Sequence, residues 1–158
     1  MCMSNFVVRD AIVPALAATT REDAIRELVR SLHTAGFFRE AELEEIVGAV
    51  LRREQLGSTG IGRNIAIPHS RYAGVDRLIG TVGISPAGIP FDSIDGEPVY
   101  VIVLLVSPQD RPGDHLRALE TVVRTMRDDK FVRDLRQAGS ASRDSIWQLI
   151  DKTQGWEC

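Results

Sequence analysis

Cysteine, histidine, basic excess and long apolar runs are all scarce in this 158-residue sequence, and each shortage excludes something. Cys2 and Cys158 stand near opposite ends with no CxxC pairing, so they read as free thiols rather than a disulfide framework or a thiolate metal site. The three histidines, at 33, 69 and 115, form no His-Glu-x-x-His pattern, and no metal site is expected. A net charge of −3 with a pI near 5.6 argues against a nucleic-acid partner, whose binders carry a basic excess. The longest apolar run, Val99 to Val106, is far too short to cross a membrane. Ala11 to Ala18 superficially resembles a secretory leader, but Asp10 offsets Arg9 and Pro14 interrupts the run. A soluble, cytoplasmic protein with no direct membrane insertion is expected.

Nucleotide-binding signatures are missing as well. A P-loop needs Gly-Lys-Ser/Thr entering a helix, whereas Gly62 is followed by Arg63-Asn64. The dinucleotide fingerprint would need a glycine at position 65, which is Ile65. No cofactor is expected.

What remains is an ordinary globular composition, 44% apolar and 26% charged, in a chain of single-domain length spanning residues 1–158. Ile12 to Leu16 reads as a short edge strand. Thr19 and Glu22 form a capping box for a helix with Ala24, Ile25, Leu28, Val29 and Leu32 on one face, stopped at Gly36. A second helix, Glu40 to Arg53, aligns Leu43, Ile46, Val47, Val50 and Leu51. His33, at the end of the first helix, reads as an ordinary helix-end residue.

Short strands are expected at Ile65–Ile67 and Leu78–Ile84, after which Pro86, Gly88 and Pro90 break the chain. Asp95-Gly96 marks a tight turn, with Asp92 and Asp95 serving turn chemistry. Val99 to Val106 is continuously apolar and β-rich, the pattern of a central strand with helices over both faces. The last third is helical: a stripe of Leu116, Leu119, Val123 and Met126, a short helix with Phe131 and Leu135 ended by Gly139, and a final helix capped by Ser142. The whole predicts an α/β domain, a mixed β-sheet sandwiched between helical layers.

One stretch carries the chemistry. Gly57-Ser58-Thr59-Gly60-Ile61-Gly62 leads into Ile65-Ala66-Ile67-Pro68-His69. Pro68 fixes its own φ and biases Ile67 toward extended backbone, so His69 follows a strand, and the glycines let the loop fold closely around its ring. Neutral imidazole is abundant near pH 7 and suits nucleophilic work. His115 opens a helix, with Asp110 or Asp114 available as cap, where the helix field favours a neutral ring and attracts an anion. On residues alone the glycine loop reads as structural, His115 as a surface residue and Arg53 as a helix-end arginine.

The loop through Pro68-His69, together with Arg53-Glu54, Phe91-Asp92-Ser93-Ile94-Asp95-Gly96 and His115-Leu116, resembles the mannitol/fructose-type enzyme IIA domains of the phosphoenolpyruvate-dependent sugar phosphotransferase system. The similarity is strongest to their nitrogen-regulatory branch. It implies the mannitol-type IIA fold and a phosphohistidine carrier rather than a stand-alone turnover enzyme. His69 would be the nucleophile, accepting phosphate from an HPr-like phosphocarrier protein, with Arg53 and His115 beside it. A IIB domain, or a regulated kinase or transporter, would be acceptor or target.

Ser58, Thr59 and Ser70 are candidates to hydrogen-bond the phosphoryl oxygens. Ser70 departs from the Gly, Ala or Cys usual in the family. The resemblance leaves a sugar-transport IIA subunit and a non-catalytic partner-binding module as alternatives to a regulatory carrier.

Overall fold

β-branched and leucine residues from Val99 to Ser107 form the strand around which everything else packs. A computed structural model describes residues 1–152 of the chain, in the order α1 (Arg21–Thr34), α2 (Glu40–Leu56), β1 (Gly60–Gly62), β2 (Ile65–Ala66), β3 (His69–Arg71), β4 (Ile79–Ile89), β5 (Val99–Ser107), α3 (Pro112–Met126), α4 (Asp129–Ala138) and α5 (Arg143–Lys152). β5 pairs antiparallel with β4 along one edge. Along the other it pairs parallel with β2 and then β3, and β1 completes the mixed sheet beside β2. Val101 to Ser107 are wholly buried, and each aliphatic side chain so covered contributes roughly 1.5–3 kcal/mol.

Alternation along β5 divides the core in two. Ile102, Leu104 and Val106 meet the apolar faces of α1 and α2. Val101, Val103 and Leu105 meet α3, α4 and α5. The expected helical layers on both faces are therefore present. The stripes of α1 and α2 are buried as their periodicity demands, although the cap of α1 is Thr20, whose hydroxyl accepts from the Asp23 amide, and not Thr19.

Four further expectations are corrected. Ile12–Leu16 is not a regular strand: only an isolated bridge from Val13 to Gly83 and a Leu16 amide bond to Ile84 tie it to the outer edge of β4. β4 runs on through Pro86 and Gly88, because the register against β5 shifts between Ile84 and Ile89 and leaves Pro86 exposed, where its missing N–H costs no ladder bond. On α3 the buried face is Ala118, Thr121, Val122, Thr125 and Met126, which rotates Leu116 out to 58% exposure. Cys2 is disulfide-bonded, not a free thiol. Its burial at the chain's start is a tertiary arrangement that carries no local spacing signal, and Cys158 lies outside the described residues. Among the described residues, no helix is long and apolar enough to cross a membrane.

Candidate active site

The strand line that carries His69 is interrupted just before it. β2 and β3 run along the same edge of β5, but Pro68 lies between them and cannot donate a ladder bond. Its carbonyl still accepts from the Leu105 amide at 3.0 Å, so the line resumes in register with His69 opposite Leu105. The kink frees the Ile67 carbonyl, which lies 2.7 Å from His69 Nδ1. A carbonyl only accepts, so Nδ1 carries the proton and the Nε2 of the neutral ring carries the lone pair.

That lone pair faces an open cleft of about 510 Å³ lined by Arg53, His69, Ser70, Arg71, Gln109, Pro112 and His115. The rings of His69 and His115 stand 5.3 Å apart, tilted by 56°. Burial, opposed in part by the Ile67 hydrogen bond and reinforced by the Arg53 charge, lowers the pKa of His69. Burial first, then the neighbouring His69 and Arg71 charges, push His115 down to about 4. Both rings are thus neutral near pH 7; the Arg53 charge lowers the pKa of His69 and the Glu54 carboxylate partly offsets it, while Arg71 acts on His115. A neutral imidazole with guanidinium groups in the same cleft has the chemistry to meet an incoming phosphoryl group.

Each partner reaches the cleft from a different element. Arg53 comes from the last turn of α2, where one of its five N–H donors holds the Gly57 carbonyl at 2.9 Å. His115 belongs to the first turn of α3, which begins at Pro112 with no side-chain cap. Neither Asp110 nor Asp114 caps it: the cap position is Arg111, and the Asp114 carboxylate pairs with Arg117 instead. The first amides of the helix therefore keep their positive end uncovered.

Of the predicted phosphoryl-binding residues, Ser70 lines the cleft, with its hydroxyl donating to the Arg71 carbonyl. Ser58 and Thr59 do not. The Ser58 hydroxyl donates to the Phe91 carbonyl, and that of Thr59 to the buried Glu54, whose carboxylate also accepts from the Thr59 amide at 3.2 Å and lies 3.7 Å from Arg21. The glycines likewise fold against other partners than the imidazole. A Cβ on Gly60 would collide with Ser93, and Gly62 enters a two-residue hairpin in which Arg63 and Asn64 take φ of 58° and 68°. Asp95 accepts from the Arg63 amide, which fastens the Phe91–Gly96 segment to that turn. The loop is a buttress for the site.

Arg71, Gln109 and Ser107 were not singled out by the sequence. Arg71 is the outermost residue of β3 and pairs in register with Ser107. The Ser107 hydroxyl lies 2.6 Å from His115 Nδ1. The parallel alignment of β3 on β5 sets Arg71 beside Ser107, and α3 brings His115 back over the end of β5.

The family profile for the phosphoenolpyruvate-dependent sugar phosphotransferase system EIIA 2 matches residues 5–153. The chain belongs to this family. A nitrogen regulatory protein of Bradyrhizobium diazoefficiens is 33% identical over 145 residues, covering 92% of this chain and 90% of that protein. The fructose-specific EIIABC component of Bacillus subtilis is 28% identical over 152 residues, 96% of this chain but 23% of that longer protein. Among solved structures, the nitrogen regulatory protein IIA-Ntr of Neisseria meningitidis superposes with a TM-score of 0.82 at 25% identity, covering 94% of this chain and 98% of its own. The Escherichia coli mannitol IIA superposes at 0.74 with 22% identity, covering 90% and 97% respectively, a likeness of fold. The mannitol-type IIA fold and a phosphocarrier role in regulation or sugar transport follow for this EIIA chain.

Proposed function

We propose that His69 is the phosphoryl acceptor of this EIIA chain, that residues 1–158 act as one carrier domain, and that its role is regulatory. The observation that carries the first claim is the Nδ1 bond to the Ile67 carbonyl, which leaves Nε2 as the nucleophilic atom in a cleft shared with Arg53 and His115. The donor is a phosphohistidine on an HPr-like phosphocarrier protein. As the Nε2–P bond forms, the donor's N–P bond breaks and its electron pair returns to the donor nitrogen. His69 keeps its Nδ1 proton on the Ile67 carbonyl and takes on the positive ring charge that the protonated donor ring gives up.

Transfer of this kind depends on positioning and on stabilising charge over the equatorial oxygens. Arg53 and His115 supply the donors, and the open mouth lets a protein partner reach the ring. Leu116, beside His115, and Leu56, at the end of α2, are exposed at 58% and 84% and offer apolar contact to such a partner. Phosphorylation adds about −1.5 to −2 charges, by analogy with other phosphorylated side chains, and weakens partners that prefer the neutral cleft.

Incubation with phosphoenolpyruvate, enzyme I and an HPr-like protein tests the acceptor: the adduct is expected to be acid-labile, base-stable and absent from His69→Ala. A non-catalytic binding module would take no label even as wild type.

The regulatory reading rests on 33% identity to a nitrogen regulatory protein, against 28% to the fructose component. The acceptor or target is then a regulated kinase or transporter. Mannitol IIA of Escherichia coli is known in complex with phosphorylated IIB, so rapid passage of label from this chain to a fructose-type or mannitol-type IIB domain would instead establish a transport subunit.

A further inference from the structure

We infer that Ser107 is a positioning residue that fixes the tautomer of His115, so that the second histidine meets the phosphoryl group as a neutral hydrogen-bond donor. Ser107 ends β5, is wholly buried, and has its hydroxyl 2.6 Å from His115 Nδ1. That nitrogen is the only hydrogen-bond partner of the hydroxyl among the described residues. If Nδ1–H donated to the serine, the buried O–H would be left without an acceptor, an outcome that folded proteins avoid. The favourable arrangement has Ser107 donating. Nδ1 then holds the lone pair, and the ring proton sits on Nε2.

The consequence is a complementary pair. His69 is held by the Ile67 carbonyl with its proton on Nδ1 and a lone pair on Nε2. His115 is held by the Ser107 hydroxyl with the opposite assignment. With Nδ1 turned onto the buried serine, Nε2–H is the atom His115 presents to the cleft beside His69. A ring in the other tautomer would present a lone pair to the phosphoryl oxygens and repel them. Ser107 therefore acts through His115, in the way an orienting group acts on a catalytic imidazole. Its backbone holds the same corner, since the Ser107 carbonyl accepts from the Tyr72 amide at 2.8 Å.

The inference about transfer rests on His69 being the phosphoryl acceptor, but its test separates the two. Ring-nitrogen correlation spectra of the full ¹⁵N-histidine-labelled chain near pH 7 read the tautomers without any phosphotransfer. His115 is expected to show a pyrrole-like Nε2 and a pyridine-like Nδ1, with His69 the reverse. Ser107→Ala is expected to move His115 toward a mixture of tautomers and to slow phosphoryl acceptance about fivefold, the worth of one neutral hydrogen bond. A wild-type His115 protonated on Nδ1, or a Ser107→Ala chain whose His115 tautomer is unchanged, would overturn the assignment. Failure of wild-type His69 to accept phosphate would contradict the carrier reading and leave the tautomer result standing.

Discussion

Two histidines in this chain begin with the same hydrogen bond and end in opposite environments. At the corner between α1 and α2, His33 Nδ1 lies 3.0 Å from the Phe38 carbonyl, and its Nε2 is taken by Glu40 at 2.7 Å. At the β2–β3 break, His69 Nδ1 lies 2.7 Å from the Ile67 carbonyl, and its Nε2 opens toward Arg53 and His115. A backbone carbonyl thus fixes one nitrogen in each ring. The surroundings of the other nitrogen differ: a carboxylate makes a helix-corner tie at His33, while at His69 arginine and a neutral imidazole line the cleft proposed to take the phosphoryl group.

The largest expected effect breaks the comparison outright. His69→Ala should lose phosphoryl acceptance altogether, whereas His33→Ala should accept label at the wild-type rate. Labelling time courses of the two folded variants decide it, and a labelled His69→Ala chain would sink the contrast. Next come Arg53→Ala and His115→Ala, which remove the groups that distinguish the His69 cleft from the His33 corner. Hydrogen bonds to charged groups are worth about 1.5–3 kcal/mol, so each loss should slow transfer about ten- to a hundredfold with the fold intact. Unchanged rates in both would mean that neither touches the phosphoryl group.

Thr59→Ala sharpens the separation of buttress from site. It strips a partner from the buried Glu54 and should cost about 1–3 kcal/mol in denaturant unfolding, while the folded fraction still accepts phosphate. Full stability, or a folded chain unable to accept label, would place Thr59 differently.

The last effect is on pH. His115 has a pKa near 6.5 when unfolded and about 4 when folded, so between those values the unfolded chain binds the extra proton. Stability tied to this group is full above pH 6.5 and falls as pH drops toward 4. His69 shifts in the same direction. His115→Asn should flatten part of that slope, and an unchanged slope would mean that His115 is not held neutral.

Much of this architecture was legible because it is local or periodic. The stripes of α1 and α2 and the unbroken β5 run report burial directly, and Arg53, His69 and His115 all reach one cleft. The failures share a physical cause: tertiary partners decided them. Thr59 has the chemistry of a phosphate ligand, but its hydroxyl is engaged by Glu54 and does not line the cleft. Pro86 looked like a strand breaker, yet a register shift put it where no ladder bond was needed. Leu116 fitted an apolar stripe that α3 in fact turns outward. Ser107 lies next to a proline and gives no sign in sequence of facing His115, because that meeting requires α3 to fold back over the end of β5.

The central claim is that Nε2 of His69 receives the phosphoryl group because Nδ1 is held by the Ile67 carbonyl. The direct measurement is a phosphorus–nitrogen NMR correlation on the ¹⁵N-histidine-labelled chain after phosphorylation by the phosphoenolpyruvate-driven relay. The account predicts a single phosphohistidine, with phosphorus coupled to Nε2 of His69 and the Nδ1 proton retained. Phosphorus on Nδ1 of His69, or on His115 or His33, would contradict it.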